Sequence, residues 1–251
     1  MELGLKDRVY VVTGGSRGLG FATAEALVAD GARVVVSARD PRAVEEAAAT
    51  LGAGAVGVAD DLADPATPQR LVDVATERFG RLDGALVSVG GPPAGSVLET
   101  PDEAWAKAFE VIFLGAVRFA RTVVAALDDG GSLALVLSSS ARSPLPDLAI
   151  SNGLRPGLGM VVKTLADEVG HRGVRVNALL PGRIETARLQ ELDGGTPDPA
   201  ATRRAHEQAI PLRRYGQPEE FGRVAAFVLS PAASFLTGTM VPVDGGAHRS
   251  L

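Results

Sequence analysis

The clearest chemical signature lies near the start of the chain, in Thr13-Gly14-Gly15-Ser16-Arg17-Gly18-Leu19-Gly20. A strand-like run over residues 8–13 leads into this turn, and an Ala-rich helical stretch leaves it. Glycine permits the backbone angles of a tight strand-to-helix turn, lets a diphosphate approach the main chain, and allows the helix to pack against the strand. The N–H groups at the helix start then face the anion. A glycine pattern alone says little, but between a first strand and a helix it points to a dinucleotide cradle.

The next strand-like run ends in Val36-Ser37-Ala38-Arg39-Asp40. A carboxylate at that end accepts hydrogen bonds from an adenosine ribose 2′-OH and repels a 2′-phosphate. Here Ala38 takes the position and Arg39 follows. With Arg17 in the glycine turn, two guanidinium groups can clasp a 2′-phosphate, so the expected cofactor is NADP(H).

With these residues in view, the chain resembles the short-chain dehydrogenase/reductase family over essentially its full length. TGGSRGLG matches the family's TGxxxGxG at Gly14, Gly18 and Gly20, with Ser16, Arg17 and Leu19 between them. Asp61-Leu62 matches the acidic pair that contacts adenine, and Pro181-Gly182 with Thr186 matches the PGxxxT segment near the nicotinamide. Arg175-Val176-Asn177, Gln217-Pro218-Glu219-Glu220 and the C-terminal TGTMVPVDGG add to the likeness, which is greatest to 3-oxoacyl-[acyl-carrier-protein] reductase-like members. The family's NNAG reads Val87-Ser88-Val89-Gly90 here, and Gly90 is placed with the cofactor-binding residues. The resemblance implies a single Rossmann domain with about seven parallel strands, assembled as a homotetramer.

The resemblance also implies a reaction whose usual residues are altered. In the family a Tyr gives the proton to the carbonyl, a Lys four residues on acidifies it, a Ser orients the substrate, and an Asn on the preceding long helix holds a water relay. Gapless placement from Val161-Val162-Lys163-Thr164 puts Ser151 at the Tyr position, Arg155 at the Lys position and Ser138 at the Ser position. Ile112 falls where the Asn is expected. A Ser hydroxyl is far less acidic than a phenol, and a guanidinium is no practical acid. The expected activity is weak or atypical reduction of a carbonyl, or oxidation of a hydroxyl, on a small-molecule substrate. The rival is a non-catalytic NADP(H)-binding sensor or silent subunit of a mixed oligomer.

Other proton donors are few. His171, His206 and His248 are the only histidines; His206 and Tyr215 lie in or near a long loop from which either can swing in, though a surface role is the plainer reading. With no Cys and no HExxH or dense carboxylate set, a metal site is not expected.

The elements that must position these residues alternate. Val-, Leu- and Ala-rich runs near 8–13, 33–37, 54–58, 83–88, 132–138, 173–179 and 239–243 read as strands of a parallel sheet. Helices fit at about 18–30, 41–51, 65–79, 101–127, 152–169 and 218–229, several with Pro near the first turn. Residues 182–217 stand out as a long Gly-, Pro- and Arg-containing loop, either a substrate lid or a solvated excursion. No linker or repeat divides the 251 residues, so one domain is expected.

Composition narrows the setting. A net charge of −5 argues against sequence-independent nucleic-acid binding, and the lack of Cys fits a reducing, cytoplasmic compartment. No signal-peptide pattern is seen at the start. The uncharged stretch Val224–Val243 approaches membrane-span length, but Pro231, Gly238 and Pro242 interrupt it, so a buried helix, a turn and a buried strand are expected there.

Overall fold

Runs such as Val9-Tyr10-Val11-Val12 have no polar face, and strands of that kind need cover on both sides of the sheet. The computed structural model, which describes residues 2–249, places them so. Strands β1 (Val9–Thr13), β2 (Arg33–Ala38), β3 (Ala55–Ala59), β4 (Gly84–Val87), β5 (Ser132–Val136), β6 (Arg175–Pro181) and β7 (Met240–Val243) form one sheet in the order β3-β2-β1-β4-β5-β6-β7. Every pairing is parallel. The order reverses between β1 and β4, the crevice where open α/β sheets take their ligands.

Because side chains alternate along a strand, Val9 and Val11 enter one core layer while Tyr10 and Val12 enter the other. The first layer is covered by α3 (Thr67–Phe79), α5 (Gly115–Ala126) and α6 (Ala149–Val169), the second by α1 (Gly18–Ala29), α2 (Pro41–Leu51) and α9 (Pro218–Leu229). Local signals set the starts of two of these helices. Asp40 accepts from the N–H groups of Arg42 and Ala43 with Pro41 in the first turn; Gln217 and Glu220 form a capping box around Pro218.

Some sequence expectations change. The helix expected over 101–127 is α4 (Asp102–Ala108), a π-helical turn (Phe109–Leu114) and α5, with Ile112 buried inside the π turn. The helix expected from 152 begins at Ala149, which puts Ser151 in its first turn and on one face with Arg155, four residues on. Residues 182–217 are not a plain loop: they carry α7 (Ala187–Gly194) and α8 (Pro199–Ala209), started by Thr186 and by Asp198-Pro199. The uncharged stretch is α9, a short turn and β7; β7 is a half-buried edge strand with Pro242 exposed, rather than a buried one. Among the described residues no helix is long and apolar enough to cross a membrane.

One buried side chain binds the two ends of the C-terminal third. Arg175, at the start of β6, donates to the carbonyls of Val228, Leu229, Ser230 and Leu236. These include C-terminal carbonyls of α9, which have no partner within the helix and carry its partial negative charge. Asn177 continues the link, donating to the Leu236 carbonyl and accepting from the Thr239 N–H.

Candidate active site

The glycine turn closes where β1 and β4 diverge. Thr13 Oγ1 accepts from the Ser88 N–H at 2.9 Å and donates to the Ser88 carbonyl at 3.0 Å, locking the two strand ends together. Gly14 has φ of 60°, and a Cβ there would lie 2.5 Å from the Ser88 carbonyl oxygen. A Cβ on Gly20 would lie 2.3 Å from the Gly14 carbonyl oxygen, so the turn folds back onto the first turn of α1 only without side chains. Arg17 is the exposed N-cap of α1, and Ser16 is half-buried beside it. The turn also meets the distant PGxxxT segment: a Cβ on Gly18 would lie 3.5 Å from Thr186 Cγ2.

At the ends of β2 and β3 the acids sort into committed and available ones. Asp40 is committed to capping α2, and Arg39 beside it is exposed. Asp60 accepts a fork from Arg70 and a bond from Thr67. Burial raises its carboxyl, but these bonds outweigh that and hold it below the usual range. Among the described residues the Asp61 carboxylate accepts only from the Ala63 N–H, and Leu62 beside it is buried.

At the far end of the crevice three consecutive serines divide their tasks. Ser138 Oγ accepts from the Ser140 N–H and starts a short turn. Ser139 Oγ donates to the Pro181 carbonyl at 3.2 Å, joining the ends of β5 and β6. Ser140 Oγ and Ser151 Oγ share a hydrogen bond of 2.9 Å, both buried. Gapless spacing singles out Ser138; the residue whose hydroxyl meets Ser151 is Ser140, and only the course of the backbone distinguishes it within the Ser triplet. Arg155, one helical turn on from Ser151, is buried, its Nη1 donating to the Val136 carbonyl at 2.8 Å, and burial pushes its guanidinium down to about 10. Trp105 of α4 lies edge-on against α6 at Gly153, where a Cβ would come within 2.8 Å of the ring.

The segment over the crevice is strapped down. Arg188 of α7 donates to the Pro92 carbonyl at 2.5 Å, beside Gly90 and Gly91, both exposed. Behind it, Tyr215 donates to Asp193 at 2.8 Å, Arg183 donates to Asp193 and to His206 Nε2, and His206 Nδ1 faces the Tyr215 hydroxyl. Tyr215 is buried, against the surface role expected for it, and burial with the Asp193 bond pushes its phenol up to about 12. His206, half-buried in the same cluster, is pushed down by burial and by Arg183. His171 lies beyond the far end of α6, opposite the crevice. Among the described residues no group of His, Asp or Glu is arranged to hold a metal ion.

Comparison with known proteins places this geometry. The family model described as enoyl-(acyl carrier protein) reductase matches residues 14–248. The human dehydrogenase/reductase SDR family member 4 is 34% identical over 256 residues, covering 98% of this chain and 90% of its own. The chain belongs to the short-chain dehydrogenase/reductase family. Among solved structures of similar proteins, L-sorbose reductase from Gluconobacter frateurii, complexed with NADPH and L-sorbose, superposes with a TM-score of 0.92 at 32% identity over the whole of both chains. A short-chain dehydrogenase/reductase from Brucella melitensis gives 0.93 at 28% identity, again over both whole chains. Measured against the family pattern, this short-chain dehydrogenase/reductase keeps the glycine turn and the PGxxxT segment and departs at Ile112, Ser151 and Arg155.

Proposed function

We propose that the protein is an NADP(H)-dependent oxidoreductase acting on a carbonyl or hydroxyl group of a small molecule, with atypical and slow catalysis. The observation that carries the reading is the glycine turn, whose tight contacts at Gly14 and Gly20 bring backbone against backbone where β1 passes into α1. Its fit to a diphosphate follows from the close approach and from the N–H groups at the start of α1. Gly18, Leu19 and Gly20 supply those groups, and Arg17 and Arg39 grip the 2′-phosphate. Asp61 and Leu62 take the adenine, while Gly90, Pro181, Gly182 and Thr186 line the nicotinamide end.

Bound there, the cofactor supplies or accepts the hydride. The chain's own residues hold the reacting carbonyl: Ser138 and Ser151 offer hydroxyls that orient it or a water beside it, and Arg155 steadies the cofactor ribose. None of these is an efficient acid at neutral pH. Loss of one general acid costs on the order of a hundred- to ten-thousand-fold in rate, and proximity to a held hydride sustains the remainder. The family's homotetramer and a cytoplasmic setting complete the proposal.

NADPH turnover with a panel of ketones and acyl thioesters tests it, alongside a Gly14→Ala variant. Turnover above that variant supports the enzyme. Tight NADPH binding with no turnover above it favours the silent-subunit reading, which the buried, mutually bonded Ser140 and Ser151 also suit.

A further inference from the structure

Arg155 is an unbalanced charge. Among the described residues its Nε is the only buried side-chain nitrogen or oxygen with no hydrogen-bond partner. Its Nη1 is taken by the Val136 carbonyl, and no carboxylate of the described residues neighbours the guanidinium. Arg175, also buried, shows what a settled guanidinium looks like in this fold, with four carbonyl bonds at a helix C-terminus. A buried cation with one bond is costly unless a ligand completes it.

The geometry points to a substrate carboxylate seated on Arg155, with the Ser140 and Ser151 hydroxyls beside it. With Nη1 committed to Val136, the free edge of the guanidinium is Nε with Nη2, two parallel N–H donors spaced to match two carboxylate oxygens. The ribose contact proposed above uses one of the five guanidinium N–H donors outside that edge and leaves the charge standing. A phosphate dianion brings more charge than one guanidinium and two hydroxyls offset. Arg155 is only 4% exposed, so the seat forms by a side-chain shift as the ligand arrives, and the pairing then occurs away from water. The substrate class is a small carbonyl or hydroxyl compound that also bears a carboxylate. This inference rests on the proposed cofactor-dependent activity for the placement of the carbonyl, and on Arg155 alone for the carboxylate.

The test is the thermal stabilisation of the whole protein, with NADPH present, by propionate, butyrate and benzoate against their amides, with chloride as the ionic control. Stabilisation grows with ligand concentration relative to Kd, so the midpoints give the affinities. The seat predicts each acid to bind at least about ten-fold more tightly than its amide, with that preference gone in Arg155→Met. Equal affinity of acids and amides for the wild type, or an undiminished preference in a folded Arg155→Met, overturns it. NADPH binding is followed separately by its own fluorescence. Its absence with the acid preference intact sinks only the cofactor reading; NADPH binding with equal acids and amides sinks only the carboxylate seat.

Discussion

Ser140 and Ser151 face each other across 2.9 Å, one in the turn after β5 and the other in the first turn of α6. Gapless alignment puts Ser151 at the position of the family's Tyr, and both serines are buried. Restoring the phenol and its ammonium partner with Ser151→Tyr and Arg155→Lys is therefore expected to raise NADPH-dependent ketone reduction, by on the order of a hundred- to ten-thousand-fold in kcat/KM. Initial rates on the substrate panel check it. Tight NADPH binding without any gain would mean that the crevice has been reshaped around the serines.

Arg39 stands exposed at the end of β2 beside an Asp40 already occupied by its helix cap. Arg39→Glu is expected to weaken NADPH binding by about a hundred-fold, through the loss of a charge-assisted bond and added repulsion of the 2′-phosphate. NADH binding should change by less than about three-fold on the same estimate. Titrating both nucleotides against both proteins measures the ratio, and a parallel loss of the two would remove Arg39 from the 2′-phosphate site.

Arg155→Met removes a buried charge with no counter-ion among the described residues and keeps much of the side-chain volume. The ligand-free protein should become more stable by about 1–4 kcal/mol, as seen when buried ions are replaced by apolar groups. Urea unfolding monitored by circular dichroism reads the change. A loss of stability would show that the Val136 carbonyl bond outweighs the unpaired charge.

Arg175 gives the opposite case. Arg175→Met leaves the carbonyls of Val228, Leu229, Ser230 and Leu236 without their shared donor and is expected to destabilise the fold by about 3 kcal/mol. The same unfolding experiment distinguishes the two arginines by sign.

The cluster of His206, Tyr215, Asp193 and Arg183 makes stability depend on pH. His206 is pushed below its ordinary 6.5 in the fold, so the unfolded chain binds the proton more readily. The stability linked to this residue is present above about pH 6.5 and is lost as the pH falls toward the lower folded value. Melting curves should show an acid-side decline across that window, reduced in His206→Gln. An unchanged decline in the variant would assign it to other groups.

Much of this architecture was legible in advance, for reasons that differ by element. The strands declared themselves because runs such as Val34-Val35-Val36 are buried on both sheet faces, and the glycine turn because its spacing answers a steric demand at Gly14 and Gly20. The helices α7 and α8 escaped notice because they are short and largely polar, although Asp198-Pro199 carries the same start signal as Asp40-Pro41. The partner of Ser151 was hidden in a triplet of identical residues, where spacing cannot choose and the backbone must. The unpaired edge of Arg155 had no sequence trace, since it depends on what fails to pack near it.

The ring of Trp105, the only tryptophan in the chain, rests on Gly153, midway between Ser151 and Arg155. Its emission is thus an intrinsic optical reporter of the helix that carries both residues. Events at that helix can be timed on a stopped-flow instrument without attaching a dye.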